Sequence, residues 1–268
     1  MILAMDVGNA QIVLGCIQPD GSICEPVIRL ETNRGKTTDE YAAAISSILR
    51  FHEIDPASFA GGIIASVVPE LTDTLCGALR MITGCDPLLV GAGLRSGIRL
   101  NVDDPGTVAG DLVATAVAAK HDLPLPCVII DMGTAITMTA VNEKGEFIGG
   151  AFLPGLELSI DAMSARTSLL PSVDVTAPKK VIATTTIDCM KSGVIYGLAG
   201  AVDGLLDRFQ EELGPLGSIA VTGNRAELIA GICRHPLRVE NGLMLRGLWY
   251  IWEANQASAK GGRRTKTK

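Results

Sequence analysis

The sequence is short of several features, and each shortage excludes a class of protein. Its 268 residues contain no apolar run of the ~18–20 residues that a membrane helix requires. The nearest approach, Gly193 to Leu206, is too short and carries Asp203. The opening Met-Ile-Leu-Ala-Met-Asp has no basic stretch and meets a carboxylate at Asp6, unlike a signal peptide. A soluble, cytoplasmic protein with no membrane partner is therefore expected. Positive charge is not in excess either. The formal net charge is −6, and Lys260, Arg263, Arg264, Lys266 and Lys268 crowd into the C-terminal tail, leaving the remainder more acidic still. That argues against nucleic acid as a partner. The seven cysteines (Cys16, Cys24, Cys76, Cys85, Cys127, Cys189 and Cys233) are odd in number, scattered and without a C-x-x-C pair. They read as small buried apolar residues of a reducing compartment. His52, His121 and His235 lie far apart with no ligand spacing, which speaks against a zinc site.

What the sequence does hold is core-forming material. With 47% hydrophobic and 19% charged residues, it can bury a large core, and its length suits two domains of roughly 120 residues each. An internal repeat supports that division. Leu3-Ala4-Met5-Asp6-Val7-Gly8-Asn9-Ala10 matches Ile129-Ile130-Asp131-Met132-Gly133-Thr134-Ala135, with Asp6 and Asp131, and Gly8 and Gly133, each 125 residues apart. Each motif leads into an alternating strand, Ile12 to Ile17 and Ile136 to Val141. Each strand meets a glycine turn, Pro19-Asp20-Gly21 and Glu143-Lys144-Gly145, with one residue of slippage, and a third strand follows. A carboxylate leaving a buried strand, then a glycine that admits close backbone approach, can hold a metal-bound phosphate. Two like domains would leave a cleft between them for a nucleotide.

The remainder alternates strand and helix. Thr37 and Glu40 have capping-box spacing, ahead of a helix with Tyr41, Ile45, Ile48 and Leu49 on one face. Gly62 to Val67 reads as a strand ended by Pro69, followed by helices near 71–82 and 106–120 and a short strand at 88–90. In the second half, helices are expected after Pro154-Gly155, from about 186 to 212 and from about 243 to 253, with a strand at 218–222. Gly193, Gly197, Gly200 and Gly204 lie close together on the long helix. Glycine costs about 1 kcal/mol against alanine in a helix, so four of them imply close helix–helix approach, in a dimer seam or within the chain.

The motifs together resemble type III pantothenate kinases, of the actin-like ATPase superfamily. They are Asp6-Val7-Gly8-Asn9, Asp131-Met132-Gly133-Thr134 and Gly149-Gly150-Ala151-Phe152-Leu153-Pro154-Gly155, with Thr37-Thr38-Asp39-Glu40-Tyr41, Ala65-Ser66-Val67-Val68-Pro69, Asp104-Pro105 and Ala116-Val117-Ala118-Ala119. Arg166, Leu170-Pro171, Ser192-Gly193-Val194-Ile195-Tyr196-Gly197 and Val202-Asp203-Gly204 continue the series over residues 1 to 255. The resemblance implies an α/β fold of two duplicated ribonuclease-H-like domains, about 1–117 and 118–255, with an interdomain cleft and a disordered basic tail at 256–268. It implies phosphorylation of pantothenate by ATP, the first step of coenzyme A synthesis, in a homodimer using Mg²⁺ and a monovalent cation, K⁺ or NH₄⁺.

By the same resemblance, Asp6, Val7, Gly8, Asn9, Ala10, Gln11, Ile12 and Val13 form the ATP loop, with Asp6 holding Mg²⁺ mainly through water and Thr134 contacting the nucleotide. Asp111 is the general base, within a substrate-binding stretch Ala109, Gly110, Asp111 and Leu112. Asp131 binds the monovalent cation, and Thr186 contacts pantothenate across the dimer. From the residues alone, Asp111 also suits a helix first turn, Asp6 and Asp131 strand-end turns, and Thr186 a helix N-cap. The chain departs from the family in three places. Ala10 stands where the family has threonine, Leu112 where it has arginine, and Asn224 where it has glycine. The retained aspartates point to catalysis. The departures leave open a kinase-inactive relative that regulates or binds, or an enzyme of another phosphate ester on the same fold.

Overall fold

The computed structural model describes residues 1–91 and 93–263, with the side chains of the last helix through Gln256. Its chain divides into two units, Met1–Asp122 with Gly242 onward, and Leu123–Asn241. In the first unit the central strand β1 (Ile2–Val7) is buried at every position but Asp6. β2 (Gln11–Ile17) pairs antiparallel on one side and β4 (Gly62–Ser66) parallel on the other. β3 (Ile23–Glu31) and β5 (Leu88–Leu89) complete the order β3-β2-β1-β4-β5. The period-two alternation of β1 sends Leu3, Met5 and Val7 into a core with Tyr41, Ile45 and Leu49 of α1 (Thr38–Phe51) and Leu71 and Leu75 of α2 (Pro69–Thr83). The Thr37–Glu40 capping box is present at the start of α1. Pro69 ends the strand region by opening α2 as its first residue, where the missing N–H is not needed.

A two-residue strand, β6 (Arg99–Leu100), precedes α3 (Gly110–Asp122), which is buried continuously from Leu112 to Ala119. α7 (Leu243–Arg263) packs against α3, β1 and β4. Arg246 Nε and Tyr250 Oη both donate to Asp122 at the end of α3, at 2.7 and 2.5 Å. The second unit repeats the sheet. β7 (Cys127–Met132) lies between β8 (Ala135–Val141), antiparallel, and β10 (Ser218–Gly223), parallel, with β9 (Glu146–Pro154) and β11 (Arg238–Val239) beyond them. Its core joins Val128, Ile130 and Met138 to α4 (Leu156–Arg166), α5 (Thr186–Leu213) and α6 (Ala226–Ala230). The chain is thus α/β, with two duplicated ribonuclease-H-like sheets.

Several expectations shift. The first unit runs to Asp122 rather than 117, and residues from Gly242 belong to it rather than to the second, because α7 finds its apolar partners on α3 and β1. Helix α7 reaches Arg263, so the expected disordered tail is helical from 256 to 263, and the rest of it lies outside the described residues. Only Cys16 and Cys127 are buried; Cys85 and Cys189 are exposed, on a loop and on the first turn of α5. The Asp203 carboxylate of the Val202-Asp203-Gly204 motif is a structural pin. Almost fully buried, it accepts from the backbone N–H groups of Arg234 and His235 at 3.0 and 3.2 Å.

α7 passes so near α3 at Gly247 that an added Cβ would overlap the Ala114 carbonyl oxygen. Overpacking of this kind costs about 1–3 kcal/mol. Gly247→Ala should lower stability by that amount in urea unfolding; an unchanged midpoint would show that the two helices can separate without cost.

Candidate active site

The Asp6–Val13 loop sits at the carboxyl edge of the first sheet. Val7 and Ile12 point into the core, Val13 is half-buried, and Asn9, Ala10 and Gln11 are exposed. Asp6, half-buried, is the next-to-last residue of the otherwise apolar strand. The loop closes when Gly8 N–H donates to the Gln11 carbonyl at 3.0 Å, and a Cβ on Gly8 would crowd that same oxygen at 3.1 Å. The backbone of 8–11 and the side chains of Asn9 and Gln11 are therefore the accessible part of this loop, whereas Val7 and Ile12 anchor it in the core.

Asp111 reaches the same edge from the other end of the unit. A turn at Pro105–Thr107, capped by Asp104, leads to α3. Gly110 is buried so close to the end of β5 that a Cβ would lie 3.0 Å from the Val90 carbonyl, and this contact fixes where the first turn of α3 emerges. The Asp111 carboxylate accepts from Leu112 N–H at 2.8 Å. Burial raises its pKa above the usual carboxylate range, and the backbone hydrogen bonds only partly offset that. A carboxylate held in this way is a stronger proton acceptor. Ala109 is half-buried, and Leu112 is only 9% exposed, so the side chain of Leu112 belongs to packing.

In the second unit Asp131 is the next-to-last residue of β7, in register with Thr137 and Thr222. Gly223, at φ +95°, lies so near that a Cβ would be 2.8 Å from both Asp131 Oδ1 and the Met132 carbonyl. Gly155 donates to the Thr134 carbonyl at 3.0 Å, and a Cβ on Gly155 would overlap that oxygen. Gly133, Thr134, Gly155 and Gly223 thus bring backbone oxygens and the Asp131 carboxylate to one strand edge. Thr134 is exposed. The N-cap of α5 is Thr185, whose hydroxyl accepts from Asp188 N–H; Thr186 is the first helical residue and exposed. Along α5, Gly193, Gly197 and Gly200 are exposed, and an added Cβ on any of them would meet nothing within 4 Å. Gly193 and Gly197 line a groove of about 320 Å³ with Leu153, Met163, Val194 and Leu198.

Two residues beside the Asp6–Val13 loop were not anticipated from the sequence, Thr32 and Arg34. Thr32 Oγ1 donates to the Gly8 carbonyl at 2.6 Å and Arg34 Nη2 to Asn9 Oδ1 at 2.9 Å. No local pattern marks them, since each contact spans more than twenty residues.

The sequence matches the family described as type III pantothenate kinase over residues 2–208. A type III pantothenate kinase of Moorella thermoacetica is 36% identical over 255 residues, covering 95% of this chain and 100% of that one. One of Anaeromyxobacter is 37% identical over 256 residues, covering 96% and 100%. Among solved structures, the (R)-2-hydroxyglutaryl-CoA dehydratase component A of Acidaminococcus fermentans superposes with a TM-score of 0.54 at 14% identity, over 95% and 98% of the two chains. That last likeness bears on the fold alone.

The raised pKa of Asp111 has a consequence for stability. A carboxyl whose folded-state pKa exceeds its unfolded value favours folding below the unfolded pKa, and that contribution is lost as pH rises through the folded pKa. At pH 7 the ionised, desolvated Asp111 therefore costs stability. Asp111→Asn should melt higher than the wild type at pH 7, with the gap closing as pH falls into the carboxylate range. A lower melting temperature at pH 7 would contradict the burial argument.

Proposed function

Because the chain belongs to the type III pantothenate kinase family, we propose that it transfers the γ-phosphoryl group of ATP to the primary hydroxyl of pantothenate. The product is 4'-phosphopantothenate, and the step opens coenzyme A synthesis. The observation that carries this reading is the desolvated Asp111 carboxylate on the same sheet edge as the Asp6–Val13 loop. Phosphoryl transfer needs positioning, charge neutralisation and a proton acceptor for the alcohol, and this edge offers a loop for the first and a base for the last. Asp111 takes the hydroxyl proton as the new P–O bond forms, and Asp6 and the backbone of Gly8 to Gln11 orient the phosphates.

The residues fit the expected ions. Asp6 is a hard oxygen donor at a strand end, suited to Mg²⁺ held through water. Asp131 beside the Met132 carbonyl, with room kept by the missing Cβ of Gly223, suits a K⁺ or NH₄⁺ ion. When bound, such ions neutralise charge on the phosphates. Thr134, exposed on its loop, is assigned to the nucleotide. The homodimer is supported by the open glycine face of α5 and its apolar groove: with no neighbour among the described residues requiring glycine there, a second copy would supply the close approach. Thr186, exposed on the first turn of the same helix, is then placed to reach the partner's pantothenate. No helix among the described residues is long and apolar enough to cross a membrane.

The direct test is ADP release by the purified protein with ATP, pantothenate, Mg²⁺ and K⁺. Pantothenate-dependent ADP release is expected, and its absence would overturn the reading. Asp111→Asn should cut turnover by about 10²- to 10⁴-fold with ATP affinity nearly unchanged, while Asp6→Asn should weaken Mg·ATP binding instead. Gly197→Leu should turn a dimer into a monomer in sedimentation; a wild type already monomeric at micromolar concentration would remove both the seam and a trans-acting Thr186.

A further inference from the structure

The two copies of the strand–loop–strand unit differ by one residue, and the difference lies in the loop. Between Gly8 and Gln11 there are two residues, Asn9 and Ala10; between Gly133 and Ala135 there is only Thr134. The glycines correspond, since a Cβ on Gly8 would face the Gln11 carbonyl at 3.1 Å and one on Gly133 the Ala135 carbonyl at 3.2 Å. So do Ala10 and Thr134: each carbonyl accepts, at 3.0 Å, an N–H from the end of the third strand, Thr32 in one case and Gly155 in the other. The extra residue of the first loop is therefore Asn9. It is Asn9 that receives Arg34.

Arg34 is held on a rigid mount. The Tyr41 hydroxyl accepts from Asn33 N–H at 2.9 Å and donates to the Asn33 carbonyl at 2.8 Å, and Tyr41 is completely buried. Tyr41 belongs to the first turn of α1, which the Thr37–Glu40 capping box fixes. The segment Thr32–Arg34 is thus gripped from behind by α1 and grips the loop in front through Gly8, Asn9 and Ala10. This gives the Thr37-Thr38-Asp39-Glu40-Tyr41 motif a task that helix capping alone does not explain.

Charge supplies the rest of the argument. The first 28 residues contain no lysine or arginine, so neither the loop nor the strands that carry it bring a cation to a polyphosphate. Arg34 is exposed, forms no ion pair among the described residues, and spends one donor on Asn9. A guanidinium has five N–H donors in a planar fork suited to phosphate oxygens. We propose that Arg34, docked on the inserted Asn9, is a phosphate-binding residue that contacts the polyphosphate chain of the nucleotide.

The inference rests on residues 6–13 being the nucleotide loop, and nucleotide binding tests it without pantothenate turnover. Affinities for Mg·ATP and for AMP would be measured by titration calorimetry on the full chain, for wild type, Arg34→Ala, Arg34→Lys and, as a charge control on the far end of α1, Arg50→Gln. Loss of one charge-assisted contact corresponds to about a ten- to hundred-fold weakening. Arg34→Ala should weaken Mg·ATP by that factor and AMP much less, with an unchanged melting temperature. Arg34→Lys should recover part of the loss, added guanidinium should partly rescue Arg34→Ala, and Arg50→Gln should match wild type. Equal Mg·ATP affinity in wild type and Arg34→Ala would overturn the role of Arg34 and leave the kinase reading standing. A melting-temperature drop with equal losses for Mg·ATP and AMP and no rescue would reduce Arg34 to a brace, which also overturns it. A wild type that binds no Mg·ATP would overturn both.

Discussion

A carboxylate at the fifth position of a strand whose other residues are all buried, or nearly so, is the constraint on which the rest depends. β1 and β7 have identical burial along their six positions, with Asp6 and Asp131 the single interruption in each. Each strand is hydrogen-bonded on both sides, so it cannot slide: Asp6 is locked opposite Val13 and Ala65, and Asp131 opposite Thr137 and Thr222. A slip of one residue would turn the carboxylate into an apolar core and the apolar set outward. The sheet register is therefore also the register of the site. The neighbouring glycines follow from it, because the backbone turns so tightly beside each carboxylate that a Cβ on Gly8, Gly133 or Gly223 would crowd a carbonyl oxygen.

Duplication supplied the scaffold, and small inequalities divide the labour. Both loops are tied to the end of the third strand by the same N–H to carbonyl bond. After that bond the first copy continues into Asn33 and Arg34, while the second goes straight into α4 behind Gly155. The first loop has one more residue and a cation near it; the second has the Asp131 carboxylate with Gly223 opened beside it. The proposed polyanion and cation sites thus draw on different copies of one unit, a difference that a symmetric duplication could not offer.

What was legible in the sequence was local. The capping box at Thr37 and Glu40 and the long helix α5 depend on residues a few positions apart, and the repeat on two short motifs that match each other; the structure has all three where the sequence implies. Contacts over long separations were not legible. The return of α7 to the first unit rests on Gly247 passing close to Ala114, a fit that hydrophobic periodicity cannot encode. The one-residue slip was visible only as a shorter spacing at the glycine turn; hydrogen bonding moves it to the Gly8–Gln11 loop. At α5, Thr184, Thr185 and Thr186 are equivalent by type, and only backbone geometry selects Thr185 as the cap.

The substitution next to the proposed base can be understood in the same terms. α3 is buried on all sides from Leu112 to Ala119, the pattern of a helix enclosed by protein rather than laid on a surface. An arginine at 112 would need its charge desolvated or its side chain led out of that packing. Leucine avoids that cost, and it also takes away a cation that would have stabilised the neighbouring Asp111 carboxylate and pulled its pKa down. With no such partner among the causes acting on it, Asp111 is governed by burial, and its pKa moves up toward the working pH. A base is most effective when its pKa lies near the pH at which it works. The leucine that departs from the family pattern is therefore compatible with the proton-acceptor role proposed for Asp111.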